Sequence, residues 1–339
     1  MGIKTAYLER EYMKKEKENF TIFRESITSN NYLVTVAIGE EYLNNWKNIA
    51  LSSWMKYCEK YDLGLIVFIN DLIDKKNSNW KKANWQKLLI GVTLKKYQQL
   101  VINNICYLDT DIIINTYAPN VFNNYDEDTI ALVSLRKNLP YPYDEVLRRL
   151  AFLRHKHYST DYPLDSVLFV SLEDLYKTHN LVPQNDETCT GLFIYNLDKH
   201  SEMMKEWFYK YSSDVYSITN GGEQTHLNYE FLNYGKVSWL DYKFQAIWVF
   251  EMAWKYPFLY NYGRDDKNLI RECIEASLTT NYFLHFAGSW YESDMWKIGH
   301  FFEDKYSEKL LEEYFKYIQQ PVIGKPQGMI KAKKEKNDR

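Results

Sequence analysis

The chain of 339 residues carries a formal net charge of −3, so it can form one large α/β domain or two ordinary ones and lacks the basic excess of nucleic-acid-binding proteins. Its four cysteines are widely spaced without a Cys-X-X-Cys pair, which favours reduced thiols over a disulfide framework or a zinc site. The charged residues 1–20 lack an apolar signal core and no apolar run reaches the roughly 20 residues of a membrane helix, so we expect a cytoplasmic protein without an integral membrane segment.

Strands and helices alternate over the first third of the chain. Residues 1–30 are predicted as a charged helical arm. The elements predicted after it are a strand over Tyr32–Ile38, a helix over Tyr42–Tyr61, a strand over Leu63–Ile69, a helix over Trp80–Tyr97 and a strand over Asn104–Asn115. Such alternation is typical of crossover connections in a mainly parallel sheet flanked by helices. Ligands of such sheets bind beyond the C-terminal ends of the strands.

The pattern is looser after Pro119. Residues 138–165 have weak periodicity and are predicted as a lid or acceptor-side excursion, or equally as an ordinary surface loop. The later predicted strands are Thr129–Leu135, Leu192–Asn196, Val237–Leu240 and Tyr282–Phe286, and the later helices are Lys199–Tyr211 and Glu303–Ile318. From Gln319 onward Pro, Gly and Lys predict a disordered basic tail. We therefore predict one α/β domain over residues 31–318 between two appended ends, 1–30 and 319–339.

Two carboxylates interrupt the apolar stretch Cys106–Asn115. Asp109 and Asp111 lie one residue apart, and residues i and i+2 of a strand point to the same face, so both should project together. Adjacent carboxylates repel, and burying them unpaired is costly. A divalent cation relieves both problems, and oxygen ligands suit Mg²⁺ or Mn²⁺. The alternative is a strand end whose aspartates merely cap the next turn.

Four further stretches carry reactive or polar side chains, and each has a structural alternative. Lys87 and Trp85 precede the Asp-X-Asp stretch on a helix, where a solvated lysine is the usual interpretation. Gly191 permits close approach of a ligand, or simply precedes a plain strand. The remaining residues are Glu223 and Gln224 in a Gly-rich helix start, where acids also serve as caps, and His285 before Gly288, where a core histidine is common.

The order of these motifs resembles the GT-A nucleotide-sugar glycosyltransferases, most closely the glycogenin and bacterial lipopolysaccharide galactosyltransferase family. The resemblance spans roughly residues 32–300, and each motif is short, so that only their order is specific. The matching segments are Val34–Gly39 with Tyr42, Tyr107–Asp111 with Ala118-Pro119, Thr190–Asn196, Glu223–Asn228 and His285–Gly288. The resemblance implies a GT-A fold, that is, a Rossmann-like α/β sheet in a single catalytic domain.

The resemblance also implies an activity and its residues. It implies a hexosyltransferase that moves a sugar from a nucleotide-sugar, with a UDP-sugar expected, to a carbohydrate or glycan acceptor. It implies that Mn²⁺ (or Mg²⁺) is held by Asp109, Asp111 and His285. The further residues implied are Gln224 and Glu223 as catalytic, and Ala37, Gly39, Tyr42, Lys87, Asp109, Thr110 and Gly288 as binding the donor.

The chain departs from the family pattern at two positions. The family often has Asp where Glu223 stands, and it usually has a lysine for the diphosphate three residues after the glycine of the His turn. Tyr291 occupies that position here, and the nearest lysine is Lys297. Phosphate contact at this turn is therefore open, as is membership of another GT-A family.

The residue types favour a retaining reaction. An oxocarbenium-like centre forms at the sugar carbon, and the neutral amide of Gln224 can stabilise it but cannot easily act as a base. An inverting enzyme would need a carboxylate base, for which Asp161, Asp165 or Glu223 could serve. We expect Trp239, Trp248 and Trp254 to flank the acceptor together with Tyr141 and Tyr143, although a packed core is the alternative for at least two of the tryptophans.

Two other classes of function compete with this one. A haloacid-dehalogenase-like phosphatase also uses Asp-X-Asp after a buried strand, but it needs the motif early, a Gly-Thr-type turn and downstream acidic ligands. Here about a hundred residues precede the motif and Ile112 follows Asp111. A catalytically inactive sugar-binding protein on the same fold is the second alternative, which Asp109, Asp111 and His285 argue against.

Overall fold

Two β-sheets form the framework of this computed structural model, which describes residues 15–16, 19–158, 170–219, 222–302 and 305–318. The larger has eight strands in the order β1-β2-β4-β3-β5-β8-β7-β9, and the smaller has three in the order β10-β11-β6. The strands are β1 (Lys15–Glu16), β2 (Phe20–Arg24), β3 (Asn31–Val36), β4 (Gly64–Phe68), β5 (Asn104–Leu108), β6 (Ile112–Ile114), β7 (Ile130–Ser134), β8 (Thr188–Asn196), β9 (Val237–Trp239), β10 (Ala246–Ile247) and β11 (Phe283–His285).

The larger sheet is mainly parallel. β3 is parallel to β4 and β5, β7 is parallel to β9, and β8 lies antiparallel between β5 and β7. It follows that β3, β4, β5, β7 and β9 all run in one direction, while β2 and β8 run in the other. The predicted fold class, an α/β sheet flanked by helices, is confirmed, and the C-terminal ends of β5, β7 and β9 share one edge.

Helices cover the sheet and complete its core. The α-helices are Glu40–Asn45, Leu51–Tyr61, Ala83–Gln86, Ile90–Leu94, Tyr143–His157, Leu172–Thr178, Leu197–Lys210, Tyr216–Thr219, Gln224–Tyr234, Trp248–Lys255, Lys267–Thr280 and Lys305–Ile318. One apolar cluster joins the buried strand residues Val34, Ile66 and Phe193 to Trp85 and Phe208 of two helices. No helix of the described ranges is long and apolar enough to cross a membrane. All four cysteines are free and buried.

The N-terminal prediction is wrong where the structure describes it. Phe20–Arg24 is not part of a helical arm but pairs antiparallel with β4, and Phe20 and Ile22 join the core. Aromatic and β-branched side chains favour such a half-buried strand, which explains the difference. Residues 1–14 and 17–18 lie outside the described ranges.

Three other predicted elements differ in detail. The helix over Trp80–Tyr97 is broken into short pieces around the 3₁₀ turn Lys87–Leu89. The loosely patterned residues 138–165 contain the 15-residue helix Tyr143–His157, while residues 159–165 lie outside the described ranges.

The chain divides into compact units at residues 1–301 and 302–339, and the closing helix occupies Lys305–Ile318 of the second unit. The predicted tail 319–339 is not among the described residues.

Candidate functional site

The Asp-X-Asp stretch is a junction between the two sheets. The predicted continuous strand Asn104–Asn115 is in fact β5 and β6, which belong to different sheets, with Asp109–Asp111 between them. The Asp109 amide donates to the Gly191 carbonyl of the larger sheet at 2.8 Å, and the Asp111 carbonyl accepts from the Phe286 amide at 3.1 Å. The same-strand argument for their alignment therefore fails, because a turn rather than a strand sets the two carboxylates.

The turn nevertheless brings both carboxylates onto His285. β11 pairs antiparallel with β6 and ends at His285, opposite Ile112. The His285 Nε2 atom lies 3.2 Å from Asp111 Oδ1 and 3.7 Å from Asp109 Oδ2. One ligand atom from each of the three side chains lies within 4.8 Å of the others. The three predicted metal ligands thus converge in one cluster, Asp109, Asp111 and His285, although they come from segments more than 170 residues apart.

The far side of His285 is held by buried polar groups. Its Nδ1 atom lies 3.4 Å from Cys189 Sγ and 3.4 Å from the Gln245 side-chain amide nitrogen. Gln245 is fully buried, and its Oε1 atom has no hydrogen-bond partner among the residues that the structure describes. A half-turn of that amide would let Oε1 accept the Nδ1 proton and leave Nε2 with its lone pair, as in histidines that bind metals.

Gly191 allows the carboxylate and the imidazole to meet. A Cβ atom at Gly191 would lie 2.3 Å from His285 Cε1 and 2.7 Å from Asp109 Oδ2. Any side chain there would occupy the space of the cluster. The expected close approach at this glycine is therefore found, and the neighbours are the candidate ligands themselves.

The cluster is electrostatically strained in a way that a cation would relieve. Burial raises the pKa of Asp109, which Lys87 opposes and Asp111 reinforces. Burial alone would raise the pKa of Asp111 too, but His285 holds it below its usual range. Burial would lower the pKa of His285, but Cys189 and Asp111 raise it well above its usual value. Positive charge between the two carboxylates, from an imidazolium or from a bound cation, is thus favoured.

A buried ion pair lies beneath the cluster. Lys87 Nζ contacts Glu223 Oε1 at 2.5 Å and the Thr190 carbonyl at 2.8 Å, and it lies 5.1 Å from the centre of the Tyr107 ring. The Tyr107 hydroxyl in turn donates to Asp109 Oδ1 at 2.6 Å. The interpretation of Lys87 as a solvated helix lysine is wrong, because the Lys87 side chain is fully buried against Glu223.

Glu223 is held by more than Lys87. Thr190 Oγ1 donates to Glu223 Oε1 at 2.7 Å, and Asn84 Nδ2 donates to Oε2 at 2.5 Å. Its carboxylate does not cap the helix that begins at Gln224, so capping is not its role. Burial would raise the pKa of Glu223, but Lys87 and the Thr190 hydroxyl hold it below its usual range. Glu223 is therefore an ionised, fixed carboxylate.

An open cleft of about 790 Å³ lies over the two aspartates. Of the predicted donor-binding residues, Tyr42, Asp109, Thr110 and Gly288 line it. Those that do not line it are Ala37, which is buried, Gly39, which begins the helix Glu40–Asn45, and Lys87, which is buried beneath the cluster.

Several lining residues were not predicted from the sequence. They are Glu41, Asn45, Lys82, Asn84, Ser289, Asp294 and Trp296. Lys297 also lines the cleft, with its ammonium 3.0 Å from Asp294 and 3.7 Å from Glu41. Tyr291, which takes the family's lysine position, instead donates its hydroxyl to the Arg264 carbonyl. In the sequence, Lys297 is the nearest lysine to the His turn, which indicated that a lysine at another position could take this role.

The second predicted catalytic residue points elsewhere. Gln224 is half-buried and donates its amide to Glu187 Oε1 at 3.2 Å, and Glu187 is paired with Arg136 at 3.0 Å. Gln224 is not among the residues that line the cleft. The alternative bases Asp161 and Asp165, and Gly221 of the helix start, lie outside the described ranges.

The predicted acceptor aromatics divide between core and surface. Trp248 is fully buried near Phe286, so the core interpretation holds for it, whereas Trp254 is half-buried. Tyr141 is also buried, against Tyr242 and Trp254. Their side chains fill space between helices and loops, which an apolar ring does in most proteins. Trp239 differs, because it is 42% exposed at the end of β9.

Comparison with known proteins gives structural similarities alone. No family model matches the chain, and no curated protein matches it. A glycosyltransferase involved in glycosylation of the major capsid of PBCV-1 is similar at 10% identity and a TM-score of 0.45, over 79% of this chain and 98% of that one. The bifunctional glycosyltransferase WbbM is similar at 12% identity and a TM-score of 0.43, over 85% of this chain and 52% of that one. The galactosyltransferase LgtC, solved with donor and acceptor sugar analogs, is similar at 12% identity and a TM-score of 0.39, over 84% of this chain and 95% of that one.

These solved structures are of the class that the sequence resembles. At such identities and TM-scores the likeness carries nothing about substrate or mechanism.

Proposed function

We propose that the chain is a metal-dependent glycosyltransferase that moves a sugar from a nucleotide-sugar, with a UDP-sugar as the expected donor, to a carbohydrate or glycan acceptor. The observation that carries the proposal is the convergence of Asp109, Asp111 and His285 at an open cleft. Two carboxylates and one imidazole form a donor set that Mn²⁺, or less specifically Mg²⁺, accepts. The buried support of His285 by Gln245 and Cys189 fits a histidine that binds metal.

The cation would be held by Asp109, Asp111 and His285, and it would supply Lewis-acid neutralisation of the diphosphate as that group leaves. The chain supplies further contacts in the same cleft. Tyr42 is 63% exposed and offers a ring face for the base of the nucleotide. Lys297 has a partly exposed ammonium that can turn from Asp294 to a phosphate oxygen.

The other side of the reaction involves Glu223 and Gln224. Like Gln224, Glu223 does not line the cleft, but it accepts from Asn84, which does. It is an ionised carboxylate fixed by Lys87, so it would act on positive charge at the sugar carbon through its electrostatic field and not by contact. The position of Gln224 beside Glu187 suits it to hold this edge of the site rather than to act as a base. We infer a retaining reaction, with inversion as the alternative.

Binding experiments test the metal role directly. Isothermal calorimetry should show UDP binding with Mn²⁺ and little binding in EDTA. Asp111→Asn and His285→Ala should abolish both this binding and turnover of a UDP-sugar while the protein stays folded. The exposed Asp74, which accepts only a local amide, gives the matched control Asp74→Asn. Undiminished UDP affinity in EDTA would refute the metal role.

The class of reaction is tested by its products. Proton NMR of the first product from an α-linked donor should show an α-linked sugar, whereas a β-linked product would establish inversion. Release of inorganic phosphate from a phosphomonoester, without sugar transfer, would favour the phosphatase alternative. Donor binding with neither transfer nor hydrolysis would identify an inactive sugar-binding protein.

A further inference from the structure

One wall of the cleft is a segment with little backbone support of its own. The 3₁₀ helix Tyr291–Ile298 places Asp294, Trp296 and Lys297 on the cleft. 3₁₀ helices longer than three or four residues are uncommon, because their hydrogen-bond geometry is poor. The position of this eight-residue segment must therefore depend on its side-chain contacts.

Glu292 provides the strongest of these contacts. Its side chain is fully buried, and its Oε1 atom lies 2.7 Å from Arg154 Nε and 2.5 Å from an Arg154 Nη atom. Tyr158 donates to Oε2 at 2.8 Å, and the Tyr260 hydroxyl lies 3.5 Å from Oε1. Two nitrogens of one guanidinium thus meet a single carboxylate oxygen while Tyr158 holds the other oxygen, so the orientation of the Glu292 carboxylate is fixed as well as its distance.

Aromatic rings enclose this pair. The Arg154 guanidinium lies 4.7 Å from the centre of the Trp290 ring, and Tyr158 stacks on Trp290 with ring centres 6.1 Å apart. Arg264 lies over the Tyr158 ring at 5.0 Å. The end of the helix Tyr143–His157 is thereby attached to the start of the segment Tyr291–Ile298, at Trp290 and Glu292.

A gain in the stability of the fold does not by itself explain why Arg154 and Glu292 form a buried ion pair here. Apolar residues of similar volume often stabilise a core at least as well as a buried ion pair does. What the pair adds is a fixed register between helix and segment, which a loose apolar contact does not provide. Lys297 follows Glu292 by five residues, so a small rotation of the segment would carry the ammonium away from the cleft.

We propose, on the basis of the proposed function, that Arg154 and Glu292 are positioning residues that hold Tyr291–Ile298 so that Trp296 and Lys297 face the nucleotide diphosphate. Neither Arg154 nor Glu292 lines the cleft. They act through the segment and set the affinity for the nucleotide, not the affinity for the metal.

The test compares two similar buried carboxylates. Glu230 also accepts from a basic residue and a tyrosine, Lys210 at 2.7 Å and Tyr211, but it lies outside the cleft lining. Glu292→Gln and Glu230→Gln are made in the full chain. Calorimetry then measures the affinity for UDP in saturating Mn²⁺, and the Mn²⁺ electron paramagnetic resonance signal measures affinity for the metal alone, both below the melting temperature of each variant.

We expect Glu292→Gln to weaken UDP binding by about tenfold or more, as losing an outer support of a site commonly does, with Mn²⁺ affinity unchanged. Glu230→Gln should lower the melting temperature but keep wild-type UDP affinity. Tyr158→Phe, which removes one hydrogen bond to Glu292, should weaken UDP binding in the same direction and serves if Glu292→Gln does not fold.

Three outcomes separate the claims. Wild-type UDP affinity in Glu292→Gln, or in Tyr158→Phe if only that variant folds, overturns the positioning role and leaves the proposed function standing. An equal loss in Glu230→Gln shows that general destabilisation is the cause, which also overturns it. Failure of the wild-type protein to bind UDP with Mn²⁺ counts against the proposed donor itself, and the inference falls with it.

Discussion

Gly191 shows how one residue without a side chain shapes the candidate metal site. Its backbone carbonyl accepts from the Asp109 amide, and the space where its Cβ would stand is taken by His285 and Asp109. The strand residue and two candidate ligands can occupy this point together only because the side chain is missing.

Gly191→Ala should therefore disrupt the cluster. A Cβ atom 2.3 Å from His285 Cε1 forces the imidazole or the strand to move, so we expect Mn²⁺ affinity to fall by about tenfold or more. Titration of the Mn²⁺ electron paramagnetic resonance signal measures this without a substrate. Gly222→Ala is the control, because the nearest described atom to its Cβ would be the Thr219 carbonyl oxygen, at 3.4 Å. Equal Mn²⁺ affinity in wild type and Gly191→Ala would contradict the geometry.

The pair formed by Lys87 and Glu223 explains why sequence patterns misjudge single charges. A lysine on a helix next to Trp85 is usually solvated, and its partner lies 136 residues away in the chain. Periodicity indicates which side of a helix is apolar, but it cannot show that a distant carboxylate is brought to that side. Asp109 and Asp111 could be predicted as candidate ligands because only one residue separates them, whereas the support of this site by Lys87 and Glu223 could not be predicted.

Removing Lys87 should strongly destabilise the fold. Lys87→Met leaves the Glu223 carboxylate buried without its cation, which costs about 3–5 kcal/mol when one partner of a buried pair is lost. The double variant Lys87→Met/Glu223→Gln should recover part of that loss, because no uncompensated charge remains. Urea unfolding measures both free energies. A double variant less stable than Lys87→Met would show that the charge is not the cause.

At the scale of elements, apolar pattern predicted strands well but not the sheet to which each belongs. The apolar run of β5 continues into Ile112–Ile114, so the pattern predicts one continuous strand. Their hydrogen bonds go instead to β11, a partner from the end of the domain. Similarly, the apolar stripe of the helix Tyr143–His157 includes the buried Arg154, and a charged residue in the stripe weakens the helical pattern. Long-range pairing decides both cases, and no local pattern encodes it.

Asp62 joins the helix Leu51–Tyr61 to the turn before β3, and the stability that this contact provides should depend on pH. It ends the helix Leu51–Tyr61 in the left-handed conformation, and its carboxylate accepts from the amides of Ile27 at 3.0 Å and Thr28 at 2.7 Å and from Arg24 at 3.2 Å. Burial opposes ionisation, but the hydrogen bonds from Ile27 and Thr28 hold the pKa of Asp62 well below its usual range. The carboxylate thereby attaches the turn before β3 to the helix.

Asp62→Asn should lower the free energy of unfolding by about 1–2 kcal/mol at pH 7, since hydrogen bonds to a charged acceptor are lost. A depressed carboxyl pKa contributes stability above the ordinary aspartate pKa of about 3.9 and loses it as the pH falls toward the folded-state value. The difference between the two proteins should therefore shrink below about pH 4. Urea unfolding from pH 7 to pH 3 measures it, with Asp74→Asn as control. A constant difference across that range would show that ionisation of Asp62 plays no part.

At the scale of the whole molecule, the candidate metal site is a clasp, that is, a point where residues attached to the two sheets meet. Asp109 follows β5 of the larger sheet, whereas His285 ends β11 of the smaller one. His285 as a third ligand was implied only by the family resemblance, whereas the sequence itself predicted the α/β class and a cation at Asp109 and Asp111, because strand patterns and residue types are local. It could not predict that the ligands come from different sheets, since that depends on how β6 leaves the larger sheet after Asp111.

A cation bound by both sheets should stabilise the native chain as a whole. A ligand that binds the folded state alone at about 100 times its dissociation constant adds about 2.7 kcal/mol, which raises the melting temperature by several degrees for a chain of this size. We expect Mn²⁺ to produce such a rise, EDTA to reverse it, and Asp109→Asn and His285→Ala each to abolish it. Because Asp109 is attached to the larger sheet and His285 to the smaller one, the two variants test the two sheets separately. A full Mn²⁺ shift in His285→Ala would mean that the ion binds to the acidic turn alone and does not join the sheets, so differential scanning calorimetry of the two variants decides between a clasp and a surface site.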